Sequence, residues 1–321
     1  MLYNMAMFRK KRILVTGGSG FIGANLVFKL VNFGAEVNLL TTGETENWRL
    51  KEVLKKTKVY QTDFLDLSLL KRIVKKIEPE IIYHLASYGG HHFQDDPQKI
   101  IKTNILGTYN LLEAVSETDY QMFINTGSSS EYGFKREKMN EKDLLEPVSF
   151  YAISKAACSL MGQMYARKEK KRIMTFRPFS VYGPYDNKNK FIPKLIYSLI
   201  KKQKLQMSTR TSRHDYIYID DVIDAYLKAP FIKKITGEII NLGTGKQYTL
   251  AEVITRAEKL TGEKLLREKR SDKAHSWDSD YWVADNSKAI KMLDWEPQYN
   301  LTEGLAKTIA WFRQNISFYE T

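Results

Sequence analysis

The chain has 321 residues, which is about two domains' worth of material at ~150 residues per domain and ample to bury a core without staples. Hydrophobic residues are 43% and charged residues 27%, which excludes a disordered or fibrous chain. The single cysteine, Cys158, excludes a disulfide framework and an all-cysteine metal site, and it fits a reducing cytoplasm. No apolar run approaches the ~18 residues that span a bilayer. The opening MLYNMAMFRKKR places its apolar stretch before its basic cluster, the reverse of a secretory leader. The expectation is a cytoplasmic protein with no membrane partner.

Fifty basic residues against 37 acidic ones give a net charge of +13. The basic residues come in scattered bursts at 9–12, 54–58, 71–76, 167–172, 201–204 and 267–273. Several alternate at helical spacing with apolar positions, as around Leu69, Leu70, Ile73, Val74 and Ile77. They read as solvated helix faces. The charge suits an anionic substrate and does not demand nucleic acid.

Arg12–Thr16 reads as a short apolar strand, followed by the glycine-rich GGSGFIG and an amphipathic stretch, Ala24–Phe33, stopped by Gly34. Glu36–Leu40 and Lys58–Gln61 read as strands, Leu67–Ile77 as a helix ended before Pro79, and Glu80–Leu85 as a strand. Pro97–Glu117 reads as one long helix, Gln121–Asn125 as a strand, Ser149–Lys168 as a helix and Arg172–Phe176 as a strand. Strands separated by helices of this length imply right-handed parallel crossovers, and so a doubly wound α/β sheet. Beyond Gly183 the rhythm loosens into a helix at Ile192–Lys202, a strand-like DYIYI and a helix opened by Asp220 or Asp221. A strand in GEIINLG and three further helices complete the chain. No repeat or low-complexity linker separates the halves. The expected domains are therefore interleaved: 9–182 plus 215–244 for the sheet domain, and 183–214 plus 245–321 for a smaller α/β substrate lobe.

Gly17, Gly20 and Gly23 have the spacing GxxGxxG between a strand and a helix. Glycines let backbone approach phosphates closely, and a helix N-terminus offers unpaired N–H groups and partial positive charge. This predicts dinucleotide binding, with Phe21 and Ile22 in the same turn. An NAD-selective second strand usually ends in an acid that binds the ribose 2′-hydroxyl. Here the strand ends in Thr41 and Thr42, and Arg49 and Lys51 follow, whereas Glu44 and Glu46 would oppose a 2′-phosphate. The expectation is NADP, with NAD as the alternative.

Tyr151 and Lys155 lie four apart in a helical pattern and project from one face. An ammonium fixed beside a phenol favours the phenolate. Such a pair can exchange a proton with a sugar hydroxyl or carbonyl while hydride moves to or from nicotinamide.

TGGSGFIG at 16–23, Asn104 in TNILGTYNLLEA, GSSSEYG at 127–133 and YAISK at 151–155 resemble the extended short-chain dehydrogenase/reductase family. Within it they resemble the nucleotide-sugar epimerases, dehydratases and reductases. Further matches are His84-Leu85-Ala86, the RPFSVYGP run at 177–184, DYIYIDD at 215–221, Asn241-Leu242-Gly243 and LDWEP at 293–297, so the resemblance runs from Lys11 to about Ile309. It implies a Rossmann-type domain and a homodimer through the helices bearing Asn104 and Tyr151. It also implies that Tyr151 is the acid/base and that Lys155 holds the cofactor ribose. Ser128 would bond the reacting oxygen, with Ser129 as the fallback, Asn104 would complete the tetrad structurally by holding a helix kink and a water, and Asp63 would meet adenine. Leu85 and Ala86 would flank the cofactor.

The sequence departs from the family pattern at the diphosphate grip. His214 stands where Arg often precedes Asp215, leaving Arg213 and Arg210 as candidates and Arg267 and Arg270 as looser ones. Ser180 replaces the frequent Asn of RPxNVYGP and is a substrate candidate. In the loop after the fourth strand, His91 and His92 could contact the sugar or supply an acid or base, but no spaced carboxylate or cysteine completes a metal site.

Dehydratases and decarboxylases of the family commonly carry Glu two positions before the Tyr of the strand-end motif. Here that position is Ser130, and Glu131 comes one residue late, which on a strand would turn it to the other face. The expected chemistry is NADPH-dependent reduction of a nucleotide-linked 4-keto-6-deoxy sugar, with NAD-dependent 4-epimerization as the alternative. A non-catalytic dinucleotide-binding protein is the remaining class, and the intact tetrad argues against it.

Overall fold

The computed structural model describes residues 5–43, 48–91, 93–207, 212–269 and 281–320. Two compact units emerge. The first comprises Met1–Gly133, Leu144–Pro178 and Ile223–Ile240, and the second comprises Phe134–Asp143, Phe179–Val222 and Asn241–Thr321.

In the first unit, strands β1 (Arg12–Thr16), β2 (Glu36–Thr41), β3 (Lys58–Gln61), β4 (Ile81–His84), β5 (Met122–Thr126) and β6 (Ile173–Pro178) pair in parallel in the order β3-β2-β1-β4-β5-β6. Apart from Val59 on the edge strand β3, their Ile, Leu, Val and Phe side chains are buried, as crossover helices on both faces require. The helices are α1 (Phe21–Asn32), α2 (Leu67–Ile77), α3 (Pro97–Ile100), α4 (Gly107–Val115) and α5 (Phe150–Lys168). The second of these shows how the sequence sets its own limits. Asp66 caps it by accepting from Leu69 N at 2.8 Å, and Leu70, Ile73, Val74 and Ile77 form its buried stripe. Glu78 ends it with φ 47°, and Pro79 follows.

Two expectations needed correction here. The first helix starts at Phe21 rather than Ala24, because the glycine turn feeds directly into it. The stretch 97–117 is not one α-helix. A π-helical turn, Ile101–Leu106, separates its two α segments and carries the buried Asn104.

The second unit contains β7 (Ser180–Tyr182), α6 (Phe191–Lys201), β8 (Lys204–Met207), β9 (Arg213–His214) and β10 (Tyr216–Tyr218). Helix α7 (Ile219–Lys228) begins in it and runs into the first unit, and β11 (Ile239–Leu242) joins the large sheet beside β6 as its seventh strand. The chain ends with β12 (Tyr248–Thr249), α8 (Leu250–Thr261), β13 (Leu266–Lys269), α9 (Ser287–Leu293) and α10 (Leu301–Asn315). Three two-stranded pairs, β7 with β10, β9 with β12 and β8 with β13, were not foreseen from the sequence.

Residues 134–143, 179–182, 215–222 and 241–244 cluster with the second unit, so its boundary differs from the expected one. Asp215 shows why. Its buried carboxylate accepts from Thr244 N at 2.8 Å, Gly245 N at 2.9 Å and Ala284 N at 3.1 Å. Burial raises its pKa from the ordinary aspartate value, against the pull of those bonds. Among the described residues no helix is long and apolar enough to cross a membrane.

Candidate active site

Because β1 pairs with β4, with Thr16 opposite His84, the chain order reverses at this point of the sheet. The glycine turn after β1 and the loop after β4 therefore emerge side by side at the carboxyl ends of the strands, where open α/β sheets bind ligands. Gly17 has φ +67°, and a Cβ there would lie 2.5 Å from Ala86 N. At Gly23 a Cβ would lie 2.2 Å from Gly17 O, so the first turn of α1 packs directly on the loop. Gly20 meets only Gly17 O, at 3.2 Å. It is the N-cap of α1, with no side-chain capping bond and no acid in the first turn. The N–H groups of Phe21, Ile22 and Gly23 thus stand at an uncapped, electropositive helix end that fits a dinucleotide pyrophosphate.

Thr41 closes β2, and its Oγ1 accepts from Gly43 N at 3.2 Å; Thr42 is exposed. Arg49 Nη1 donates to Ser19 O of the glycine turn at 3.2 Å. Glu44 and Glu46 lie outside the described residues. Asp63 is exposed beyond β3, and its Oδ1 accepts from Leu65 N at 2.9 Å. Leu85 N donates to Thr16 O at 3.1 Å, and Ala86 N donates to Thr16 Oγ1, also at 3.1 Å.

The tetrad residues all belong to the first unit. Ser149 caps α5 by accepting from Ala152 N at 3.1 Å, which places Tyr151 in the first turn and Lys155 one turn later. Lys155 is buried, and its Nζ donates to Thr126 O at 2.8 Å and lies 5.8 Å from the Tyr151 ring centroid. That bond ties α5 to the end of β5, two residues before Ser128. The loop after β4 leans on the phenol. Gly89 has φ +95°, and a Cβ at Gly90 would lie 3.9 Å from Tyr151 Oη. Asn104 clamps this loop to α5. Its Oδ1 accepts from Tyr88 N, and its Nδ2 donates to Tyr88 O and Ser154 Oγ, each at 2.8 Å. Ser154 Oγ in turn donates to Tyr151 O at 2.7 Å.

Ser128 is the N-cap of a 3₁₀ turn, Ser129–Tyr132. Its Oγ accepts from Ser130 N at 3.1 Å and from Ser130 Oγ at 2.8 Å, so its own proton is available to a ligand. Ser129, the fallback, is buried. Beneath this turn lies a group whose role the sequence did not reveal. Glu131 is 0% exposed, and its carboxylate accepts from Ser128 N at 2.8 Å and Ser159 Oγ at 3.0 Å. It also accepts from Arg177 Nε at 2.8 Å, and Arg177 Nη2 forms an ion pair with it at 2.8 Å. Burial works most strongly against the Arg177 charge, but the Glu131 carboxylate and Tyr132 together outweigh it and raise the guanidinium pKa. Gly127 must be glycine here, since a Cβ would lie 2.4 Å from Glu131 Oε1.

The model of the NAD-dependent epimerase/dehydratase family matches residues 13–243, most of the chain. The chain belongs to that family. The UDP-glucuronate 4-epimerase of Thermodesulfobacterium geofontis is 31% identical over 96% of this chain and 98% of its own. The dTDP-D-glucose 4,6-dehydratase of Mus musculus is 28% identical over 95% of this chain and 90% of its own. The UDP-glucuronic acid 4-epimerase of Bacillus cereus, solved with UDP-glucuronic acid and NAD, superposes with a TM-score of 0.84 at 28% identity, covering 94% of this chain and 99% of that one. This protein is accordingly an enzyme of the NAD-dependent nucleotide-sugar epimerase/dehydratase type. The 4-epimerases among these relatives favour the epimerase alternative over the expected 4-keto reduction.

Other expected residues take less telling positions. The His91 ring stacks on Phe93, with centroids 5.2 Å apart and planes at 5°. Ser180 lies on β7 and Arg213, exposed, on β9, both in the second unit. Arg267 lies exposed on β13, while Arg210, Arg270 and His92 fall outside the described residues.

Proposed function

We propose that this protein is a nucleotide-sugar 4-epimerase acting on a UDP-linked hexose or hexuronic acid, with NAD retained through each cycle. The observation that carries this reading is the local chemistry of the serine turn. The site offers hydroxyls at Ser128, Ser130 and Tyr151, while the neighbouring carboxylate, Glu131, is buried and bonded to Arg177. A dehydratase needs a further free acid to expel water, and this turn supplies none. The names of the relatives support epimerization over reduction.

Bound nicotinamide supplies hydride exchange at the sugar carbon. Tyr151 Oη moves the proton of the sugar 4-hydroxyl. Ser128, already accepting two bonds from Ser130, donates its own proton to the same oxygen. Lys155, buried beside the Tyr151 ring, holds the ribose. Asn104 keeps the loop after β4 against α5. Phe21, Ile22 and Gly23 receive the pyrophosphate, with Thr41, Thr42 and Asp63 at the adenosine end. Ser129, Ser180, Arg213 and His91 remain substrate candidates.

Ile101, Leu106, Tyr109, Ile153, Leu160 and Met164 are all more than 40% exposed on the π turn, α4 and α5. This apolar set supports the expected homodimer through these helices.

NADPH-dependent reduction is the second reading. It is favoured by the acid-free end of β2 and by Arg49, whose guanidinium sits on the glycine turn where a 2′-phosphate would be received. Incubation with UDP-glucuronic acid and UDP-glucose separates the two, because an epimerase forms the 4-epimer with no net cofactor change.

A further inference from the structure

A continuous chain of buried side chains runs behind the site. Thr16, His84, Thr108, Cys158 and Asn104 are all less than 5% exposed. Thr16 Oγ1 lies 2.7 Å from His84 Nδ1, and His84 Nε2 lies 2.9 Å from Thr108 Oγ1. Thr108 Oγ1 lies 3.3 Å from Cys158 Sγ, which lies 3.2 Å from Asn104 O. One end adjoins the glycine turn, since Thr16 directly precedes Gly17 and its Oγ1 accepts from Ala86 N. The other end is the backbone of the tetrad asparagine in its π-helical turn.

The proton positions along this chain follow from one fixed point. A carbonyl only accepts, so the Cys158 thiol donates to Asn104 O. Its proton is then spent, and Thr108 must donate its hydroxyl proton to Sγ. Thr108 Oγ1 therefore accepts from His84 Nε2–H. Burial, helped by the nearby Lys155 charge, lowers the His84 pKa to about 3, so the ring is neutral and Nδ1 is bare. Nδ1 accepts from Thr16, whose oxygen accepts from Ala86 N. Every member donates in the same direction, and reversing any one leaves a buried acceptor facing an acceptor or a donor facing a donor.

We propose that His84 is a positioning residue, and that the chain Thr16–His84–Thr108–Cys158 couples the dinucleotide-binding turn to Asn104. Order at either end favours order at the other. Cys158 then influences dinucleotide affinity through the chain, by supporting the turn that Gly17 and Ala86 form. Asn104 receives the reverse influence and passes it through Ser154 to the Tyr151 backbone.

The test is dinucleotide affinity, measured by calorimetry with NAD and with NADP on protein shown to be folded by circular dichroism. It does not depend on which reaction the enzyme performs. Cys158→Ala should weaken binding about five-fold, the scale of one lost hydrogen bond. Cys158→Ser should restore it, because a hydroxyl can accept from Thr108 and donate to Asn104 O. Thr16→Val should also weaken binding, and adding Cys158→Ala to it should cost little more, the signature of coupled positions. Additive losses, or unchanged affinity in Cys158→Ala, would overturn the proposal. A structural role alone predicts loss of stability without this non-additivity. Should Thr16→Val not fold, ¹⁵N NMR of the unaltered protein still decides. The Nε2–H tautomer of His84 supports the directed chain, and an Nδ1–H tautomer refutes it.

Discussion

Replacing Glu131 by Gln tests how the serine turn is held. The carboxylate is fully buried, accepts hydrogen bonds from Ser128 N, Ser159 Oγ and Arg177 Nε, and forms an ion pair with Arg177, which is itself 1% exposed. The amide keeps the shape and one acceptor oxygen, which can still serve Ser128 N or Ser159 Oγ. Its NH₂ group then faces guanidinium donors, and Arg177 keeps a buried charge with no counter-charge. Removing one partner of a buried pair costs about 3–5 kcal/mol, against a typical total stability of about 5–15 kcal/mol. Urea unfolding followed by circular dichroism should show a loss on that scale in Glu131→Gln. Adding Arg177→Met removes the stranded charge, so the double variant should be more stable than Glu131→Gln alone. A loss below about 1 kcal/mol in Glu131→Gln, or a double variant less stable than the single one, would refute the argument that this pair anchors the turn.

Tyr151→Phe keeps the ring and removes the proton-transferring hydroxyl, so turnover should fall by about 10²–10⁴-fold; near-normal turnover would mean that another group moves the proton, with His91 first in line. Gly20→Val should abolish dinucleotide binding with little loss of stability, whereas Gly23→Ala should destabilise the fold, because its Cβ would lie 2.2 Å from Gly17 O; calorimetry and urea unfolding separate the two effects. Between the ordinary histidine pKa of ~6.5 and the folded value of about 3, the unfolded chain binds more protons at His84 than the folded one. Stability should therefore fall as pH drops through that window, by up to ~1.4 kcal/mol per pH unit from this group, and His84→Gln should flatten the slope; an equal slope in both proteins would contradict it. Leu160→Glu, on the exposed face of α5, should shift the protein to monomer in sedimentation, and an unchanged dimer would place the interface elsewhere.

Much of the first unit was legible because its signals are local. Apolar strands, the glycine turn and the Asp66-capped α2 each lie within a few residues of chain. The π-helical turn was not legible from periodicity, because 101–106 has ordinary helical spacing and Asn104 acts through its bonds to Tyr88 and Ser154; only the family resemblance implied a kink there. Glu131 was set aside by strand parity, yet the segment is a 3₁₀ turn, and what takes the carboxylate inward is Arg177, 46 residues away. The boundary of the second unit escaped for a similar reason, since Asp215 binds backbone at 244, 245 and 284. The choice between epimerase and reductase leaned on the acid-free strand end at Thr41 and Thr42, and two hydroxyls there do not distinguish a ribose 2′-hydroxyl from a 2′-phosphate.

The most direct test of the proposed function is to incubate the purified protein with UDP-glucuronic acid, and separately with UDP-glucose, without added NADPH, and to follow the sugar by NMR and the dinucleotide by its absorbance. The proposal predicts many equivalents of the 4-epimer of one of these sugars per protein chain and no net change in cofactor. It is contradicted if neither sugar epimerizes while a 4-keto-6-deoxy nucleotide sugar is reduced with one NADPH consumed per molecule.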